Sequence, residues 1–241
     1  ERYEDANVKV ESRVIDTEGK IVAKCSADGS VELRDKAVLK YSTTLEGAHL
    51  WDIDDPYLYT LVTDVYADGE LTDSYSTRFG CRTFVLDSNK GLFLNGRRVQ
   101  IKGVCAHQDQ GLFGKAVPDN IHRLKVRMIK EMGANAYRCA HYPQADILMS
   151  EFDKQGVLVM AETRWFSSSR SSLDDMRTLV RRDRNHPSVI MWSVGNEEYY
   201  FGTSQGERIA TRMISEVKKS DCTRPVMVAN ATDPELCTVY G

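Results

Sequence analysis

Beyond residue 100 the chain repeats one pattern, an apolar run followed by a helical stretch, and few architectures satisfy it. The runs at Val99 to Val104, Ala134 to Tyr137, Val157 to Ala161, Val189 to Val194 and Val226 to Ala229 are short and nearly continuous, as strands buried on both faces are. Between the first two, Pro118 to Met132 carries Ile121, Leu124, Met128 and Met132 at helical spacing, with Pro at its start and Gly133 past its end. The second helical stretch ends at Gly156. The third begins with a capping-box-like pair, Ser172 and Asp175, ahead of Leu173, Met176, Leu179 and Val180, and Arg184-Asn185-His186-Pro187-Ser188 stops it. Ile209, Met213 and Val217 mark the fourth. Such alternation implies parallel strands joined by right-handed crossovers, which leaves a doubly wound sheet or a (β/α)8 barrel.

Polar residues at the strand ends choose between these. His107 and Asp109 follow the first run, Arg138 and His141 the second, Glu162 the third, Asn196 and Glu197 the fourth, and Asn230 the fifth. A doubly wound sheet needs such residues only beside its switch point, whereas a barrel gathers every strand end at one rim, so the barrel fits better. A Gly-rich phosphate cradle of the G-x-G-x-x-G or Walker type is absent, which removes the nucleotide enzymes from consideration.

Up to about residue 88 the texture is different. Val8 to Val14, Val31 to Arg34 and Tyr59 to Tyr66 alternate with period two and are broken by Glu18-Gly19, Asp28-Gly29 and Asp68-Gly69, which predicts antiparallel strands in a sandwich. No catalytic cluster occurs there. Residues 1–88 read as a support domain, with Trp51 and Pro56-Tyr57-Leu58-Tyr59 in core or edge packing, and residues 89–241 as the barrel part.

A net charge of −3 supplies no broad basic field for nucleic acid, and no apolar run approaches a membrane span. The opening Glu1-Arg2-Tyr3-Glu4-Asp5 is charged where a leader would turn apolar, and the compartment stays open between cytoplasm and periplasm. Six cysteines, Cys25, Cys81, Cys105, Cys139, Cys222 and Cys237, have no CxxC spacing, which favours buried thiols over a zinc site. Cys139 between Arg138 and His141 suggests a Cys/His nucleophile on paper; a small core residue is the better reading. The sequon Asn230-Ala231-Thr232 directly follows an apolar run and reads as a strand end.

Three segments carry a resemblance: Gly103-Val104-Cys105-Ala106-His107-Gln108-Asp109, Asn135-Ala136-Tyr137-Arg138-Cys139-Ala140-His141-Tyr142-Pro143, and Arg182 to Glu197 with its Ser193-Val194-Gly195-Asn196-Glu197 end. Together they resemble glycoside hydrolase family 2, which contains β-galactosidases, β-glucuronidases and β-mannosidases, and the likeness runs from about Trp51 to the C-terminus. The resemblance implies an immunoglobulin-like antiparallel β-sandwich followed by a partial (β/α)8 TIM barrel of about five of eight units. By the same resemblance Glu197 is the acid/base, Asn196 binds the sugar 2-hydroxyl, His107 and His141 line the sugar site, and Asp109 is a substrate contact. Arg138 would hold the nucleophilic carboxylate and Glu162 would support the site.

A retaining glycosidase needs two carboxyl groups about 5 to 5.5 Å apart. The family places its nucleophile on strand seven, beyond this sequence; Glu198 is adjacent to Glu197 and cannot oppose it, so the chain by itself is expected to be inactive. No cofactor is implied. Some relatives hold magnesium through a Glu and a His after the strand-three acid, and Thr163 to Ser169 contains neither. The expected partner is a carbohydrate, with β-galactosides first because the RCAHYP and HQD segments look closest to that branch. A homo-oligomer is compatible with the sequence. β-Glucuronidase and β-mannosidase are the alternatives within the family, and a non-catalytic carbohydrate-binding module is the alternative outside it. Trp165 reads either as a platform under a sugar ring or as packing.

Overall fold

A computed structural model describes residues 4–230, so Cys237 and the last two residues of the sequon lie outside the described residues. The chain divides into two compact units, Glu1–Trp51 with Tyr57–Cys81, and Asp52–Pro56 with Arg82–Gly241.

The first unit is antiparallel. Strands β1 (Ala6–Ile15), β2 (Ile21–Val31), β3 (Tyr59–Ala67) and β4 (Glu70–Phe79) form one sheet in the order β2-β1-β3-β4. Asp68 and Gly69 turn β3 into β4 with φ of 51° and 86°, a hairpin turn that accepts an Asp-Gly pair. Asp28-Gly29 is not the expected turn, because both residues lie within β2. Glycine makes room there instead: a Cβ on Gly29 would stand 2.5 Å from the end of the Leu39 side chain. Leu39 and Tyr41, whose hydroxyl lies 2.9 Å from Ser12 Oγ, belong to a segment outside the strands that touches the sheet at Gly29 and Ser12. Val31 to Arg34 likewise is no strand of its own; Val31 ends β2 and a turn follows. Trp51 and Tyr59 are core residues, as expected.

The second unit opens with a small meander of β5 (Phe84–Asp87), β6 (Gly91–Leu94) and β7 (Arg97–Val99). Asn95-Gly96, both at positive φ, makes its second turn. This corrects the first apolar run, since Val99 ends β7 and the first parallel strand, β8, is Gly103–Ala106. There follow α1 (Asp119–Glu131), β9 (Ala136–Cys139), α2 (Asp146–Gln155), β10 (Leu158–Glu162), α3 (Arg170–Asp183), β11 (Val189–Asn196), α4 (Ser204–Ser220) and β12 (Val226–Ala229). The five strands pair in parallel in the order β12-β11-β10-β9-β8, the sheet of a partial TIM barrel.

Helix stops are local and follow the sequence: Gly156 closes α2 at φ 68°. Helix α3 starts earlier than Ser172, because Ser169 is its N-cap and accepts the Ser172 N–H. Met176, Leu179, Val180, Met213 and Val217 are buried, each contributing about 1.5–3 kcal/mol. The expected apolar face of α1 is different. Leu124, Met128 and Met132 are exposed while His122, Val126 and Ile129 are buried: among the described residues β8 ends the sheet, and the main helix neighbour of α1 is α2.

The segment Arg184 to Ser188 enters β11 under tight restraint. Arg224 donates to the carbonyls of Val189 and Arg184, and Arg82 to those of Pro187 and Val189. Asp153 accepts the Ser188 N–H at 3.1 Å and bonds the His186 ring. This part of the third motif therefore fixes the start of the strand whose other end carries Glu197.

Candidate active site

The carboxyl ends of the parallel strands bring most of the expected residues together. Glu162 ends β10 fully buried, with Ser193 beside it in register on β11 and donating to Oε2 at 2.8 Å. Arg138 pairs in register with Met160, and Met160 and Glu162 share a face because strand side chains alternate. Arg138 accordingly reaches Glu162 Oε2 from Nε at 3.1 Å and Nη2 at 2.9 Å. His141 Nδ1 lies 2.8 Å from the other carboxylate oxygen, so an ionised Glu162 requires the ring to donate there. The peptide bond between Ala140 and His141 is cis.

Arg138 Nη2 also lies 2.6 Å from Asn196 Oδ1. In an unbroken strand Asn196 would face away from Ser193, three residues earlier. The pairing of β11 with β12 shifts register between Ser193 and Asn196, and this irregularity turns Asn196 to the Glu162 side. With the amide oxygen held by a guanidinium, the amide nitrogen is left as a donor. Glu197 then leaves the strand at φ 52°, anchored by its N–H on the Ala229 carbonyl at 2.8 Å. A left-handed conformation costs a non-glycine residue roughly 1–2 kcal/mol, and it swings the carboxylate out of strand alternation into an exposed position. Gly195 permits the approach, since a Cβ there would meet Phe166 at 2.9 Å and Phe201 at 3.1 Å.

His107 stands at the end of β8 with its ring centroid 5.2 Å from that of His141, edge to face. Its Nδ1 is 2.9 Å from the Tyr142 hydroxyl, and its carbonyl accepts from Lys125 Nζ at 2.7 Å. Burial lowers the Lys125 pKa, with Cys139 and Asp109 acting the other way. Asp109 is exposed in the loop after β8 and joins none of the described bonds of the cluster. Arg138 is not directed at a further carboxylate among the described residues; it spans Glu162 and Asn196.

Tyr142, Ser193 and Lys125 also contribute, although no role was expected of them. The first two stand inside quoted motifs, but Lys125 gives no signal, because a lysine on an amphipathic helix ordinarily points to water. Cys139 is 1% exposed, and burial, with the charges of Asp183 and Glu162, pushes its thiol far up, against a nucleophilic role.

No group of three His, Cys, Asp or Glu suited to a metal occurs among the described residues. Glu162, the acid that ends the third parallel strand, takes donors at Oε2 from Arg138 and Ser193 while its Oε1 faces His141.

Residues 85–171 and 166–240 match the TIM barrel domain of the glycosyl hydrolases family 2, and residues 1–82 match a further domain of that family. A β-galactosidase of Bacteroides ovatus is 42% identical over 79% of this chain and 24% of its own length. A β-glucuronidase of Bacteroides fragilis is 30% identical over 96% of this chain and 35% of its own. Among solved structures, a family 2 member from Bacteroides cellulosilyticus superposes with a TM-score of 0.91 at 30% identity, covering 98% of this chain and 32% of that one. The chain thus spans about a quarter to a third of the length of the curated relatives it matches.

Proposed function

The chain belongs to the glycosyl hydrolases family 2, and from that premise we propose that it supplies the acid/base side of a retaining β-glycosidase that releases terminal β-linked sugars. The observation that carries this reading is the register shift before Asn196 together with the left-handed turn at Glu197. It supports a pairing in which Asn196, bound to the Arg138 that also holds the buried Glu162, is followed by an exposed Glu197 that has left the strand.

In this reading Glu197 protonates the departing glycosidic oxygen and then, as carboxylate, draws a proton from the water that frees the sugar. Asn196 donates to the 2-hydroxyl, and that bond strengthens as the oxocarbenium develops. His107 and His141 line the pocket, with Asp109 as an outer contact. The attacking carboxylate comes from outside the described residues, because Glu162 has both oxygens engaged and Glu198 adjoins Glu197.

β-Galactosides are the first candidate, supported by the 42% identity to a β-galactosidase. β-Glucuronides are supported as well, by relatives of that name at 30% identity. Turnover of an aryl β-galactoside against an aryl β-glucuronide, in the protein at the length of its relatives, separates the two. Glu197→Gln tests the mechanism there: the loss should be severe for alkyl glycosides and mild for activated aryl glycosides, which need little proton donation. Equal loss on both would leave Glu197 a structural residue.

A further inference from the structure

We propose that Trp165, pinned by Arg164, is the platform on which the leaving-group sugar stacks, so that the substrates are β-linked oligosaccharides rather than glycosides of small alcohols. The proposal rests on the glycosidase reading above. Of the three tryptophans, Trp51 and Trp192 are fully buried, while Trp165 is 56% exposed. A large aromatic left in water at the mouth of a polar site is suited to a ligand with an apolar face.

Its position is fixed from both sides. The next residue, Phe166, is buried edge-to-face on Phe201 at 4.7 Å and presses on Gly195. On the other side the Arg164 guanidinium carbon lies 4.6 Å from the indole centroid and 5.8 Å from that of Tyr142. Tyr142 bonds His107, so the platform is continuous with the pocket lining. A ring already held in place loses little side-chain entropy when a ligand stacks on it.

The chemistry that fits is a pyranose. One face of such a ring presents C–H bonds, which pack on the electron-rich face of an indole, and its equatorial hydroxyls point outward to donors. Arg164 covers one face of the indole and has no carboxylate partner among the described residues, which leaves the opposite face of the ring to the sugar. Depth assigns the subsite. Glu162 and Ser193 are fully buried, the Arg138 and His141 side chains are 22% and 26% exposed, and Trp165 is 56% exposed. A sugar cut from a chain end occupies the inner part, and the ring it leaves behind extends toward solvent.

The test compares kcat/KM for lactose and for methyl β-galactoside, or for the matching glucuronides if the aryl substrates select those, in the protein at the length of its relatives. Trp165→Ala should lower the ratio of disaccharide to methyl glycoside about tenfold, through KM, and Trp165→Tyr should keep it within about threefold. An unchanged ratio overturns the platform. Should the wild type turn over neither substrate, the glycosidase reading fails, and iodide quenching of tryptophan fluorescence then decides the platform. The part of the quenching that Trp165→Tyr removes is that of Trp165; lactose that shields this part supports the platform, and lactose that leaves it unchanged overturns it.

Discussion

Arg138 and Asn196, 58 residues apart in sequence, meet at 2.6 Å through the guanidinium Nη2 and the amide oxygen, and the same nitrogen reaches Glu162 at 2.9 Å. One planar cation thus neutralises the buried acid and orients the amide beside Glu197. A lysine can place a charge there, but it has no second nitrogen to do what Nε does, holding Glu162 while the terminal nitrogen serves Asn196.

Arg138→Lys should therefore reduce kcat/KM on an aryl β-glycoside by about 100-fold through misplacement of Asn196. Combined with Asn196→Ala the loss should be less than the sum of the two, because both changes remove one interaction. A double-mutant cycle by steady-state kinetics checks this, and strictly additive losses would uncouple the pair.

Gly195→Ala puts a methyl group 2.9 Å from Phe166 and 3.1 Å from Phe201. Overpacking of this kind should destabilise the fold by about 1–3 kcal/mol and shift Asn196 and Glu197. Denaturant unfolding measures the first effect and kcat the second. Phe201→Leu in the same background should restore part of both.

The His186 and Asp153 pair predicts a pH dependence of stability. Burial disfavours the imidazolium, but the bond to Asp153 and the charges of Asp153 and Asp183 outweigh burial and the opposing charge of Arg182, and the His186 pKa is raised. A raised histidine pKa contributes stability that is fully present below its ordinary value near 6.5 and fades as pH rises through the folded-state value. Unfolding midpoints should accordingly fall as pH rises above about 6.5. Asp153→Asn should flatten that fall and destabilise the protein by about 3 kcal/mol, since it also weakens the hold on the Ser188 N–H.

The alternation of apolar runs with helical spacing, the stop at Gly156, the Asp68-Gly69 hairpin and the strand-end position of Glu197 were all legible in the chain, because each is a property of a few neighbouring residues. Periodicity and turn chemistry act over that range. Asp28-Gly29 reads as a turn until Leu39 is laid across it, and Val99 to Val104 reads as one strand until Asn95-Gly96 folds its first residue into a meander. The face of α1 that looks like core is left exposed at Leu124 and Met128, since a helix buries only the side that has a neighbour. The site itself was visible as residue types and not as bonds. Whether Arg138 serves Glu162, Asn196 or another group depends on a register shift in β11 and on the pairing of β9 with β10. Those are contacts between residues brought together by packing, and only the tertiary structure decides them.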